Sequence, residues 1–268
     1  MSARGYLRAV PDVHRGTVLT HMRASAPLRW FAPRVTDAVA WVYSTTLGGG
    51  LVGGDDIRIT IDVEARARLL SMTHASTKVY RSTRPSRQHL DVTVGSDAMF
   101  VSLPDPVVPF AASSFEQRQR FTLLARGSVL AIDAVTSGRR AFGEHWAFDR
   151  YANRFEIFQD GRPLFYDHLR LDRADQSIAE RMQAFNIYLV LVAAGPMFAS
   201  LSAGVLADVA VSPIAPADGL VISASPLAGD GMVLRLAAVS LERAAATLRQ
   251  LLRPIVPLLG DDPWARRH

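Results

Sequence analysis

Apolar and polar residues alternate with a period of two over much of the chain. The clearest case is segment 57–63, where Ile or Val occupies every odd position and Arg58, Thr60 and Asp62 the even ones. Segment 90–94 repeats this alternation, whereas segment 129–135 is a more continuous apolar run. A strand with one buried face produces alternation, and a strand buried on both faces produces a continuous run. These segments are therefore predicted to be strands.

The spacing of Gly, Pro and Asp indicates how the strands are connected. Asp160-Gly161 separates the β-type segments 155–158 and 164–171, and Asp-Gly in that position favours a two-residue hairpin turn. Further Gly and Pro residues recur along the first two thirds of the chain. This rhythm is typical of many short strands with long-range pairing rather than of alternating strands and helices.

One segment, 184–207, contains no charged residue and is long enough to cross a bilayer. Gly195-Pro196 interrupts it, and proline is well tolerated in the first turn of a helix. We therefore predict a buried strand over about 185–193 and a helix that begins near Pro196.

A second helix is predicted near the end of the chain. Ser240 is a suitable N-cap, Pro254 ends the segment, and four apolar residues between them recur at helical spacing: Leu241, Ala245, Leu248 and Leu252. The expected fold is mainly β, or α+β with few helices. It consists of a single large multi-stranded β body with about two helices in the C-terminal third, in one domain over residues 1–268.

The composition of the chain excludes several kinds of functional site. The chain has 268 residues, of which 49% are hydrophobic and 21% charged, and this is typical of a globular protein. The absence of cysteine excludes disulfides, Cys-ligated metals and thiol catalysis. The net charge of +5 comes from dispersed arginines, so we expect no nucleic-acid partner. Charged residues near the N-terminus argue against a signal peptide, so a cytoplasmic location is expected, with no membrane partner.

A glycine run, 48–54, formally matches a dinucleotide-binding motif. Such a motif needs a helix after it, but the alternating strand at 57–63 follows instead. We interpret the run as a tight β connection in which Gly49, Gly50, Gly53 and Gly54 permit close backbone approach. The Asp55 carboxylate either accepts hydrogen bonds from amides of this turn or faces a polar channel.

Two further patches contain candidate functional residues. The only lysine of the chain, Lys78, precedes Tyr80, and it is retained either by chance or because a compact ammonium is required there. In the other patch, either Arg139 or Arg140 could form a partly buried ion pair with Glu144, and His145 is adjacent. The histidine spacings match no metal-binding motif, and no nucleophile motif is present.

The order of these patches resembles a known family. GGGLVGGDDIRITIDV, THASTKVYRS, LPDPVVPF, SGRRAFGEHWAF and NRFEIFQDGRPLFYDHLRL follow one another, and the late helix ends in LLRP. This arrangement resembles the urease accessory protein family UreD, also called UreH. The resemblance assigns functional roles to five residues: Asp55, Lys78, Tyr80, Arg139 and Glu144.

The resemblance implies a non-enzymatic maturation factor. Such a scaffold binds the urease apoprotein and UreF, and through UreF it recruits the GTPase UreG in a hetero-oligomer. GTP hydrolysis then accompanies nickel insertion into urease, and an internal tunnel is the implied nickel route. No cofactor is expected to bind tightly, and nickel is expected only in transit, with Asp55, Glu144 and His145 as weak transient ligands. We therefore expect Asp55 and Glu144 to serve delivery more than folding.

Two other function classes stay open at this stage. A stand-alone β-rich hydrolase or lyase would use Asp55, His74, Glu144 and His145 as acid–base groups. A nucleic-acid-binding module would show steeply salt-dependent binding.

Overall fold

The structure of the chain is a computed structural model, which describes residues 1–33, 38–212 and 218–265. Strands account for 51% of the residues and helices for 17%, so the predicted mainly β fold is confirmed. The strands are numbered β1–β17 and the α-helices α1–α4 along the chain.

Seven of the described strands form the first sheet, in the spatial order β14-β13-β11-β8-β5-β1-β2. In chain order they are β1 (Ser2–Asp12), β2 (Gly16–Ala24), β5 (Asp56–Val63), β8 (Ser86–Val94), β11 (Ser114–Leu123), β13 (Arg150–Gln159) and β14 (Arg162–Asp172).

The other described strands form the second sheet, whose main path is β16-β17-β15-β12-β9-β6-β4-β3, while β10 pairs with both β12 and β7. In chain order they are β3 (Leu28–Phe31), β4 (Ala40–Thr46), β6 (Arg68–Thr73), β7 (Thr77–Val79), β9 (Met99–Leu103), β10 (Val107–Pro109), β12 (Ser128–Thr136), β15 (Ile187–Ala194), β16 (Leu220–Leu227) and β17 (Gly231–Ala238).

The middle of the chain alternates between the two sheets. β5, β8 and β11 lie in the first sheet, and each is followed by a strand of the second sheet, β6, β9 and β12. Because the chain visits the other sheet between successive strands of one sheet, these six strands run parallel to their neighbours within the group. Parallel strands always need a crossover. Here strands of the facing sheet serve as the crossovers, where a βαβ protein would use helices.

The molecule has three layers and two apolar cores. One core lies between the sheets and contains inward residues of both, such as Ile61 and Phe100. The other core lies between the second sheet and the helices and includes Val101 and Phe198. Since successive residues of a strand point to opposite faces, the second sheet is buried on both sides. This explains the continuous apolar run in β12.

The predicted hairpin and strand–helix junction are confirmed. Asp160 and Gly161 connect β13 and β14 with φ values of 47° and 78°. The charge-free segment divides into β15 and a 3-10 turn, Pro196–Phe198, that leads into α2 (Ala199–Val211).

The late helix, α3 (Leu241–Leu251), is capped by the Ser240 hydroxyl, which accepts from the Arg243 N–H. The predicted apolar stripe was wrong at its first residue, since Leu241 is exposed and Ala244 is the buried one. Pro254 lies in a 3-10 turn, Arg253–Ile255, before α4 (Val256–Leu259). A short α1 (Ile178–Met182) was not predicted. Among the described residues, no helix has the length and apolarity needed to cross a membrane.

Candidate functional site

The glycine run lies between β4 and β5 and packs against β7. As predicted, a strand and not a helix follows it. Leu51 donates its N–H to the Lys78 carbonyl at 2.8 Å and accepts from the Tyr80 N–H at 2.9 Å. A Cβ at Gly50 would lie 2.6 Å from that same carbonyl oxygen, so this approach requires glycine. Gly53 faces the same restriction, because its Cβ would overlap the Ser82 side chain.

The Lys78 side chain does not occupy a narrow space. It is exposed, and the described contact to the glycine run is made by its backbone carbonyl. A functional role for the Lys78 ammonium stays a prediction.

Tyr80 belongs to a stack of aromatic rings that also includes one arginine guanidinium. Its ring meets Phe110 edge-on, with centroids 5.1 Å apart. The Arg139 guanidinium lies 4.0 Å from the Phe110 centroid and 5.0 Å from that of Phe142, within cation–π range. Arg139 also forms an ion pair with Glu144, whose carboxylate accepts the Arg139 backbone N–H at 3.2 Å. Three of the predicted residues, Tyr80, Arg139 and Glu144, are thus brought together.

The hydrogen bond from Arg139 lowers the pKa of Glu144 and raises that of Arg139. The ordinary pKa of a glutamate such as Glu144 is 4.5, and its pKa in the folded protein is lower. Such a carboxylate contributes fully to the free energy of unfolding above pH 4.5. It loses that contribution as the pH falls through its pKa in the folded protein. The Arg139–Glu144 pair therefore supports folding at neutral pH, where the sequence suggested a role mainly in delivery.

We expect Glu144→Gln to lower the free energy of unfolding by about 1–2 kcal/mol at pH 7.5. The difference from wild type should be smaller at pH 3.5, because the contribution of ionised Glu144 is lost progressively as the pH falls below the ordinary glutamate pKa. Urea unfolding at the two pH values measures this. Glu64→Gln is the control, because the Glu64–Arg8 pair is exposed and should change stability by less than about 0.5 kcal/mol. Equal losses in the two variants would contradict a structural role for Glu144.

Asp55 lies apart from this stack and closes the glycine bend. It is 3% exposed. One carboxylate oxygen accepts from the Met1 ammonium at 2.7 Å, and the other accepts from the Val52 N–H at 2.9 Å. Of the two interpretations of Asp55, the hydrogen bond within the turn is the one observed. The nickel role of Asp55 stays a prediction.

The residues of the hydrolase hypothesis are not assembled. No hydrogen bond, ion pair or ring contact among the described residues joins Asp55, His74 and Glu144. His74 is exposed and lies beside Phe31, with ring centroids 6.2 Å apart. Burial and the nearby Arg140 lower the pKa of His145. The described part of the chain contains no group of three or more His, Asp or Glu side chains that could hold a metal ion.

The core between the sheets contains polar side chains that the sequence analysis did not single out. Asp133 of β12 is buried there, and its carboxylate accepts from the Tyr151 hydroxyl at 2.9 Å. The side-chain amides of Gln117 and Gln119, from the facing sheet, donate to it at 2.8 and 3.0 Å. These donors are all neutral. Burial raises the pKa of Asp133 to about 6, and the hydrogen bonds offset only part of this shift.

A cavity of about 70 Å³ continues from Asp133 between the sheets. We call its polar lining the interior polar seam: Ser44, Ser71, Thr73, Thr77, Gln88, Ser102, Asp105, Gln117, Gln119 and Asp133. Thr73 and Asp105 also line an open cleft of about 980 Å³, together with Phe31 and His74. The Thr73 hydroxyl donates to the Asp105 carboxylate at 3.0 Å. The seam therefore extends from the buried Asp133 to residues that line a surface cleft.

One sequence signal could have revealed the seam. Asp133 interrupts the continuous apolar run 129–135, and a carboxylate in a strand buried on both faces breaks the local pattern. Such violations often mark functional positions. The serines and glutamines carry no comparable signal, because an inward Ser or Gln looks like an ordinary polar position until the strands are paired.

Comparison with known proteins identifies the family. The family model for the UreD urease accessory protein matches residues 3–268. The chain belongs to the UreD family.

Individual relatives agree with this assignment. The chain is 44% identical to the urease accessory protein UreD of Sorangium cellulosum, over 94% of this chain and 80% of that protein. It is 41% identical to the UreD of an Anaeromyxobacter species, over 91% and 82% of the two chains. It is 33% identical to urease accessory protein D of rice, over 98% and 95%. The resemblance read from the sequence is confirmed, and a role in urease maturation follows for this UreD-family chain.

Proposed function

We propose that this chain is a cytoplasmic, non-catalytic scaffold for urease maturation. It binds the urease apoprotein and UreF, recruits the GTPase UreG through UreF in a hetero-oligomer, and enables GTP-dependent insertion of nickel into urease. Nickel is its cargo, and no cofactor is tightly bound. Membership of the UreD family supports the maturation role.

The interior polar seam is the observation that favours passage of a cation through the scaffold. Asp133 is a buried carboxylate whose donors Tyr151, Gln117 and Gln119 are neutral, so its ionised form lacks a counter-charge within the seam. A divalent cation would supply that charge. Carboxylate, amide and hydroxyl oxygens hold such an ion more weakly than a Cys or His cage does, and weak sites permit release. We therefore propose that nickel passes along the seam toward urease.

The glycine run and the Arg139 stack form the surface proposed for partner binding. Phe142 is 77% exposed and contacts the Arg139 guanidinium, and Val52 of the glycine run is 52% exposed. Aromatic and arginine side chains are enriched at protein interfaces. The proposal that this surface binds a partner does not depend on the route that nickel takes.

The proposal is tested in a urease gene cluster from which the native UreD-family gene is deleted. Supplying this chain should restore both the nickel content of purified urease and its activity, and a tagged chain should retain UreF and the urease apoprotein. Cells with the empty vector are the control. Retention of both partners without recovery of nickel would contradict the delivery role, and loss of both partners would contradict the scaffold role.

A further inference from the structure

The second sheet ends at β16, which pairs on one side only within the described part of the chain, with β17. The Val239 N–H donates to the Gly219 carbonyl at 2.9 Å, so residue 219 directs its backbone groups toward β17. The backbone groups of successive residues in a strand point to alternate sides. The odd residues of β16 therefore bond to β17. The even residues Leu220, Ile222 and Ala224 direct their N–H and C=O groups away from it.

These outward backbone groups form a free edge. Leu220, Ile222 and Ala224 make no backbone hydrogen bond to any described residue other than within the β16–β17 pair. The next even residue is Pro226, which has no N–H to donate. Proline is tolerated on an edge strand where the missing N–H would face solvent. The edge available for pairing is therefore 220–224, and Pro226 marks its end.

The other edges of the two described sheets carry features that protect an edge strand from pairing with another chain. β2 contains a bulge together with His21 and Arg23. β14 contains a bulge, a proline and several charged side chains. β3 is only four residues long. β16 has eight residues, no charged side chain and an unbroken register, so Pro226 is its one protective feature.

The helix beside this edge is also apolar on its outer side. α2 packs on β16 and β17, and Asp208 is its only charged residue. Its exposed positions are mostly small or apolar: Ala203, Gly204, Ala207, Ala210 and Val211. A helix that is apolar on all sides is normally buried. The edge and the helix together indicate that a further protein surface covers this end of the second sheet.

The near absence of charge indicates which protein this is. In a two-fold symmetric interface each surface meets itself, so a charge close to the axis would face its own like charge. A partner of different sequence imposes no such restriction. The chain as a whole carries a net charge of +5, yet β16 and α2 together contain one charged side chain, Asp208. This is the composition that a surface pairing with its own copy requires.

We propose that two copies of this chain pair antiparallel through the free edge of β16, with Ile222 opposite Ile222 of the second copy. In this register Leu220 lies opposite Ala224 of the second copy, and every outward N–H and C=O between them finds a partner. Pro226 falls just outside these hydrogen-bonded pairs, so it does not interrupt them. The interface goes beyond the proposed function and does not depend on the nickel route or on the glycine-run surface.

Sedimentation velocity of the full chain over about 1–100 µM should show a reversible dimer, because a short strand pair is at the small end of interface sizes. Ala224→Pro should raise the dissociation constant of the dimer by at least about tenfold. The substitution removes an outward N–H in both copies and leaves the hydrogen bonds to β17 intact. The thermal midpoint of the variant is measured in parallel to establish that it is folded.

The absence of cysteine from the chain permits a direct test of the register. Directly opposed residues of a hydrogen-bonded antiparallel pair have Cα atoms about 5.5 Å apart, a distance that a disulfide spans. Ile222→Cys should therefore form a covalent dimer when oxidised glutathione is added. Ser225→Cys is the matched control, since Ser225 is exposed on the same strand. In the proposed register the two copies of position 225 lie about 20 Å apart, so this variant should not be linked.

Three results would each overturn the proposal: a chain that stays monomeric, a folded Ala224→Pro variant with unchanged dimerisation, or equal linking of the two cysteine variants. If Ala224→Pro does not fold, the comparison of the cysteine variants decides. A pure chain that stays monomeric but binds UreF in a manner that Ala224→Pro abolishes would place a different protein on this edge, and would also overturn the proposal.

Discussion

Replacing Asp133 with leucine is expected to lower the free energy of unfolding by about 3–5 kcal/mol, because it leaves the buried donors of Tyr151, Gln117 and Gln119 without their acceptor. Chemical denaturation at pH 7.5 measures this change. If the free energy of unfolding falls by less than about 1 kcal/mol, the Asp133 carboxylate is not needed to satisfy the donors around it.

Asp133→Asn separates the charge from the hydrogen bonds. The pKa of Asp133 is raised from 3.8 to about 6, so the folded protein binds the proton more tightly than the unfolded chain does. The contribution of Asp133 to the free energy of unfolding is therefore greatest below pH 4 and is lost as the pH rises through about 6. A shift of this size corresponds to about 3 kcal/mol. Asparagine does not ionise, so the Asp133→Asn variant does not lose stability in this way. Its free energy of unfolding should therefore rise relative to that of the wild type between pH 4 and pH 7. A constant difference over that range would contradict a raised pKa.

Blocking the cavity is expected to have the largest effect on function. Ser102 of β9 is 5% exposed, and it shares an inward face with Phe100 and with its register neighbour Ser71. A leucine at position 102 would fill the cavity that Ser102 lines. In the reconstituted gene cluster, Ser102→Leu should lower urease nickel content and activity by at least about tenfold, which corresponds to ~1.4 kcal/mol in a barrier.

The matched variant is Ser102→Ala, which removes the hydroxyl without blocking the cavity and should retain most of the activity. Because overpacking itself costs about 1–3 kcal/mol, the thermal midpoint and the retention of UreF are measured in parallel. Ser71→Leu provides a second block at the neighbouring strand. Full urease activation by both folded leucine variants would show that nickel does not pass through this cavity.

Local patterns in the sequence were sufficient for the elements and for part of the candidate site. The alternation at 57–63, the Asp160-Gly161 turn and the Ser240 cap each depend on residues close together in the chain, and each appears in the structure. An ion pair of Glu144 with Arg139 or Arg140 was also foreseeable from their proximity in the chain, and the structure shows that Arg139 is the partner. In such cases short-range backbone geometry fixes the contact before any long-range pairing is known.

The sheets and the interior of the site were decided by tertiary structure. Alternate assignment of strands to two facing sheets is a long-range choice, because the same period-two pattern fits a strand in either sheet. Only that choice places Gln117 against Asp133 and Arg118 beside Arg154. The interior polar seam is therefore a product of strand register. In a sheet, a shift of one residue exchanges the inward and outward faces, and nothing local to these residues specifies which partners they meet.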